Sequence, residues 1–180
     1  MNKLYPSFFL IALCIGLCGC PYDSFYGIDD TPQMPIDTDL LGKWATFIAK
    51  PDINNTTKDE PVKFIFTERN NQEYNFAITG YIDEMQPYRL IENDTIKGTA
   101  YLSTLKQKLF LNARIKGKIF IAEVKKQNRG FSILPLSEGF TGKLIKNSKE
   151  LRIAIGFHYD TRVAPAYDET FTVKNLQKVN

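Results

Sequence analysis

The sequence predicts a mainly β domain, an antiparallel barrel or sandwich with one or two short helices. Three observations carry that expectation. From Trp44 onward apolar residues recur mainly with a period of two, the mark of strands with one buried face. One hairpin, around Lys116 and Gly117, can be written out pair by pair. All three cysteines, Cys14, Cys18 and Cys20, fall in the first twenty residues, so a unit of about 140 residues must be held by its core and not by disulfides.

The chain opens with Asn2 and Lys3 and then an apolar run from Phe8 to Leu17. Crossing a bilayer takes about 20 apolar residues, so this run is too short for a span and fits a secretory signal, excluded from fold reasoning. The run ends Leu17-Cys18-Gly19-Cys20, which resembles the lipobox of bacterial lipoproteins, with Cys18 where Ala or Ser is usual. The resemblance implies that residues 1–19 are removed, that Cys20 is acylated, palmitate included, and that the chain is attached to a membrane through its N-terminal lipid. The compartment implied is the cell envelope, with the domain on the periplasmic or the surface face of the outer membrane.

Residues 20–40 read as a lipidated acidic tether. Asp23, Asp29, Asp30, Asp37 and Asp39 accompany three prolines, and no Lys or Arg occurs from Pro21 to Gly42. That composition predicts an extended, solvated linker, with a reach of up to ~60 Å at about 3.1 Å per residue. The single β-rich domain then occupies residues 41–180. From residue 43 on, 22 basic side chains face 15 acidic ones, a formal +7 against the tether's −5. Much of the excess lies in Lys106, Lys108, Arg114, Lys116, Lys118, Lys125, Lys126 and Arg129, opposed within that stretch by Glu123 alone. Such a patch would attract phosphates, anionic glycans or lipid headgroups, or would be a lysine-rich solvated sheet face.

Within the domain, Val62, Phe64 and Phe66 alternate with Lys63, Ile65 and Thr67, and Tyr74, Phe76 and Ile78 follow the turn-forming Asn70 and Asn71. A hairpin is the simplest reading. Further strands are predicted at Thr99 to Leu105, Gln107 to Ile115, Lys118 to Lys126, Phe131 to Leu136 and Thr170 to Asn175. A two-residue turn at Lys116-Gly117 pairs Ile115 with Lys118, Ala113 with Phe120, Leu111 with Ala122 and Leu109 with Val124. The other face carries Phe110, Asn112, Arg114, Ile119, Ile121 and Glu123, too apolar for open solvent, so both faces are expected to be covered. Asn147 and Glu150 have capping-box spacing and Gly156 sits where a helix would end, predicting a helix over 148–155. Leu151, Ile153 and Ile155 alternate equally well as a strand.

Leu41-Gly42-Lys43-Trp44 at the first strand, with a β meander after it, resembles the Gly-x-Trp opening of lipocalin-like barrels. That resemblance gives Trp44 the role of closing one barrel end and Arg152 that of the late cation above it; otherwise Trp44 is a large core residue. A second resemblance runs through Gly19-Cys20-Pro21-Tyr22, Pro35-Ile36-Asp37, Leu40 to Trp44 and Ser148 to Leu151, to a group of small, uncharacterised lipoproteins of the Bacteroidetes. Asp94-Thr95-Ile96 is similar to the triplet such bacteria O-glycosylate, which makes Thr95 a glycan candidate.

Catalytic chemistry is thin. The domain has one histidine, His158, beside Asp160, and no Gly-x-Ser-x-Gly elbow to provide a serine partner. Asp83-Glu84 and Asp168-Glu169 are adjacent, and neighbours on a strand point to opposite faces. Metal-ligand spacings and phosphate-binding loops are absent, so no cofactor or metal is expected. Only Phe110 and Phe120 fall within the basic stretch, and they face opposite ways, so nucleic acid is not expected as a partner. The sequence therefore points away from an enzyme and toward a lipid-anchored protein that binds an apolar or amphipathic small ligand. The alternative is a non-enzymatic accessory protein that docks onto an envelope complex through a strand edge or the basic patch.

Overall fold

Period-two alternation builds a meander whose first long strand and last strand meet. The computed structural model describes residues 21–51, 57–80, 94–161, 163, 165 and 167–179. Residues 1–20, Cys20 among them, and the Asp83-Glu84 pair lie outside these residues. A two-residue strand β1 (Asp23–Ser24) precedes β2 (Gly42–Pro51), β3 (Thr57–Glu68), β4 (Tyr74–Gly80), β5 (Thr95–Leu105), β6 (Lys108–Ile115), β7 (Lys118–Gln127) and β8 (Gly130–Pro135). Helix α1 (Ser148–Asp160) follows, and β9 (Val173–Val179) ends the chain. Strands β2 to β8 pair in sequence, and β9 lies between β8 and β2, closing an eight-stranded antiparallel barrel. Closure excludes the sandwich and is consistent with a lipocalin-like barrel.

The β6–β7 hairpin has the register predicted from sequence, Ile115 against Lys118 through Leu109 against Val124. Lys116 (φ 48°) and Gly117 (φ 83°) both occupy the left-handed region, the turn whose twist matches the strands it joins. The row of partners from Glu68 through Tyr74, Ala100 and Ala113 to Phe120 begins at the end of β3 and finishes near the start of β7. This stagger is the strand tilt that closure demands.

Inside the barrel, Val62, Phe64, Phe66, Phe76, Leu102 and Phe131 join one buried cluster. Trp44 meets Phe131 edge to face with ring centres 4.7 Å apart, and its Nε1–H donates to the Leu40 carbonyl at 2.9 Å. The 3₁₀ turn Thr38–Leu40 carries Leu40 into this interior, with Met34 and Ile36 packed beside it, so residues 34–41 cover one end of the barrel.

The outward face of β6 and β7 is covered as expected. Phe110, Ile119 and Ile121 are buried beneath Leu151 and Ile155 of α1, with Phe140 and Ile28 completing a second cluster. Leu151 and Ile155 are i,i+4 neighbours, and burying two such side chains contributes about 1.5–3 kcal/mol each. The helix is capped by Asn147, whose Oδ1 accepts from the Glu150 N–H at 2.9 Å. It runs past Gly156, where its end was predicted, to Asp160. One interior glycine costs only about 1 kcal/mol, which the added packing of the last turn offsets.

Two further expectations are corrected. The last strand is Val173–Val179, not Thr170 to Asn175; only Val173 and Leu176 of it are buried, across a register shift with Asn175 at φ 56°. The acidic tether is not an extended, solvated spacer over the described residues 21–40. Asp23 and Ser24 pair with Phe120 and Ile119, Ile28 is fully buried, and the Ile36 N–H donates to the Asn71 carbonyl at 2.9 Å. Its aspartates meet the basic barrel: Asp23 with Lys118 at 2.6 Å, Asp29 with Arg152 at 2.6 Å, and Asp37 and Asp39 with Lys126. The opposite charges of the segment and the barrel strap it to the wall.

Candidate functional site

Uncompensated charge in a core marks chemistry. Glu123, 2% exposed, points out of β7 beneath the helix. Its Oε2 accepts from the Tyr159 hydroxyl at 2.7 Å and from the Tyr167 hydroxyl, and Lys125 stands 4.0 Å from Oε1 while also lying over the Tyr167 ring. Burial, then the hydrogen bond to Glu123, pushes Tyr167 up to about 12, and burial also raises Tyr159. At neutral pH both phenols are therefore donors, and the cluster is a satisfied latch between the barrel, the helix and the 161–172 connection. Asp168 is buried with Oδ1 accepting from Thr170 and Phe171 N–H groups, and desolvation raises its pKa.

His158 is also committed. Its Nε2 lies 2.6 Å from the Phe140 carbonyl, an oxygen that only accepts, so the ring donates there. Asp160, expected beside it, pairs instead with Lys106 at 2.6 Å. Among the described residues no three His, Cys, Asp or Glu side chains form a metal-binding group.

The structure disperses the predicted basic patch. Lys106, Lys108, Lys125, Lys126 and Arg129 gather at one end of β6 and β7, while Arg114, Lys116 and Lys118 lie at the other, roughly 20 Å away along the strands. Arg114 approaches Glu73 at 3.7 Å, and Lys106, Lys118, Lys125 and Lys126 have the carboxylate partners already given. A basic stretch in sequence becomes a set of ion pairs because hairpin geometry sends its two ends apart.

Trp44 lies near the barrel end that residues 34–41 cover, and Arg152 does not stand over it. Arg152 is on α1, outside the barrel, bound to Asp29 and to the Thr104 carbonyl at 3.4 Å. The cation over Trp44 is Lys178 of β9, its Nζ 5.5 Å from the ring centre. Thr95 begins β5, half-buried and opposite Thr79, after Asp94 at φ 56°.

Two concave surfaces of the described residues lie outside the barrel wall. Between α1 and the loop before it runs a groove of about 610 Å³, walled by Leu144 and Ile145 on one side and Ile153, Ala154 and Phe157 on the other. Phe140 forms its floor, and the His158 to Phe140 bond ties the two walls together. Leu144, Ile153 and Phe157 are 80%, 60% and 64% exposed. Across the loop 141–145, which both share, a second recess of about 490 Å³ is lined by Pro21, Tyr22, Phe25 and Tyr26, with Lys118 and Glu138 at its edge. Phe25 is 78% exposed. These side chains form one apolar face, of a kind that marks an interaction site on a small domain.

Sequence reasoning missed this face. The one available signal was a surplus of apolar residues on α1: Leu151 and Ile155 fill the buried stripe, leaving Ile153 and Phe157 without a place in it.

The fold is thus a closed β-barrel compatible with ligand binding, with an apolar groove on its outer wall. Comparison with protein-family models, curated proteins and solved structures finds no match. Among the described residues no helix is long and apolar enough to cross a membrane.

Proposed function

We propose that the chain is a lipid-anchored, non-catalytic protein of the cell envelope whose outer groove binds an apolar or amphipathic ligand. The observation that carries this reading is the placement of apolar surface. Trp44, Phe64, Phe66, Phe76 and Phe131 are buried in one cluster inside the barrel, whereas Leu144, Ile153 and Phe157 remain in solvent around an open groove of about 610 Å³. Ligand pockets commonly span about 300–1,000 Å³ with mostly apolar linings. The groove on the outer wall offers such a ligand an apolar surface that is open to solvent. The anchor follows from the lipobox resemblance at Cys20. The protein-docking alternative is less favoured because its basic patch is divided between the two ends of β6 and β7.

Titration of the full chain in mild detergent with 1-anilinonaphthalene-8-sulfonate tests the reading. Saturable binding that Phe157→Ser and Ile153→Ser weaken at least tenfold, without a change in melting temperature, is the expected result. Trp44 is the single tryptophan and lies within the barrel. Binding that leaves both variants unaffected but quenches Trp44 would put the ligand in the interior and overturn the groove.

A further inference from the structure

Pro21, the first described residue, does not lead away from the barrel. It bridges Ser137 and lines the smaller recess. Next to it the Tyr22 N–H donates to the Leu136 carbonyl at 2.7 Å, and Asp23 and Ser24 join β7. Residue 20 is one peptide further, about 3.8 Å between Cα atoms, so an anchor on Cys20 has no spacer. Acyl chains buried in a bilayer from that point bring the lipid surface to whatever surrounds Pro21.

What surrounds it is the apolar face. Phe25, Tyr26 and Leu144 flank the recess that Pro21 lines, and the shared loop leads on to Ile153 and Phe157. Exposed Lys143, Lys146 and Lys149 rim the face. Of the nearby carboxylates, Asp23 is held by Lys118, Glu150 accepts the Lys146 N–H at 2.9 Å, and Glu138 stands at the recess edge. Apolar side chains ringed by lysine suit the boundary between acyl chains and anionic headgroups.

We propose that this face docks flat on the lipid bilayer, with Phe25, Leu144, Ile153 and Phe157 entering the interface and the lysines meeting anionic headgroups. The groove's amphipathic ligand is then membrane lipid itself. The inference rests on the reading of Cys20 as acylated, and it replaces a domain held far above the membrane with one seated on it.

The test uses the full chain, purified from membranes in detergent and returned to vesicles of phosphatidylethanolamine and phosphatidylglycerol. Nitroxide labels are placed singly through Leu144→Cys, Phe157→Cys and, on the exposed face of β3 four strands round from β7, Lys63→Cys. Unsubstituted protein gives the labelling background. Labels at 144 and 157 should collide preferentially with oxygen and be shielded at least severalfold from a water-soluble nickel chelate, relative to the label at 63. Equal access to the chelate at all three sites overturns docking, leaving a protein or soluble ligand to cover the groove. The intact mass of the same preparation separates the two readings: wet labels with acylated Cys20 sink the docking alone, and a free thiol at Cys20 sinks the anchor on which it rests.

Discussion

The Oδ1 of Asn112 accepts the N–H of Ile28 at 2.8 Å, a bond between residues 84 apart in the chain that fixes the acidic strap to the barrel wall. Asn112 is fully buried, and its amide donates to Ser103 Oγ at 2.9 Å and to the Tyr101 carbonyl at 3.3 Å. All three side-chain bonds are made inside, out of reach of water, so the pairing has no substitute. Asn112→Ala strands the Ile28 donor at a cost of about 1–3 kcal/mol. Chemical denaturation should show that loss, and hydrogen exchange should show faster exchange at residues 27–30 than in β6. Uniform protection across the strap in the variant would mean that the ion pairs alone hold it.

Alkali should release the same segment. Tyr101 donates to the Asp29 carbonyl at 2.7 Å and Tyr74 to the Asp37 carbonyl at 3.1 Å, and burial pushes each phenol up to about 12 from 10.0. Because the folded value is the higher, the unfolded chain gives up its protons first as pH rises. The stabilisation is complete below pH 10 and disappears as pH climbs to about 12, by up to about 1.4 kcal/mol per unit for each group. Tyrosinate absorbance should lag behind that of free tyrosine and then rise together with the loss of Trp44 near-ultraviolet dichroism. A titration centred at pH 10 with the fold intact would remove both tyrosines from this role.

How much of this was legible from sequence depends on the range of the interactions. The β6–β7 register could be read pair by pair because alternation and a Lys-Gly turn are local. The strap could not, because Asp and Pro composition describes a free chain, while its fixed points, Ile28, Ile36 and Leu40, are isolated apolar residues whose partners lie far along the sequence. The helix was ambiguous because Ile153 is apolar yet exposed, and its presence made Leu151, Ile153 and Ile155 look like a strand. The cation above Trp44 was misassigned because the irregular β9 carries too few buried residues for its register to be seen, and Lys178 stayed hidden with it.

Lys178 gives a direct test of that reassignment. An ammonium over an indole at a partly exposed site is worth about 0.5–1 kcal/mol. Lys178→Ala should cost this amount and shift Trp44 emission, whereas Arg152→Ala should leave the emission unchanged and loosen Asp29 instead. An emission shift from Arg152→Ala with none from Lys178→Ala would restore the arginine to the barrel end.

Gly27 lies where the strap passes closest to the wall. A Cβ there would stand 1.8 Å from the Tyr101 hydroxyl oxygen and 3.0 Å from Asn112 Oδ1, and a real Cβ cannot occupy the first of these positions. Gly27→Ala must therefore push the strap off β5 and β6, or drive Tyr101 from its bond to Asp29, with a loss of about 1–3 kcal/mol. Removing the obstructing oxygen should return part of it. Tyr101→Phe alone loses one hydrogen bond, about 1 kcal/mol, and leaves the Asp29 carbonyl in need of water. If steric contact with that hydroxyl is the main penalty, the double variant Gly27→Ala/Tyr101→Phe is more stable than the sum of the two single losses requires, a coupling measurable by a double-mutant cycle in denaturant. Strict additivity would mean that the strap gives way at Gly27 without meeting Tyr101, and that its course across the barrel is set by its charged ends alone.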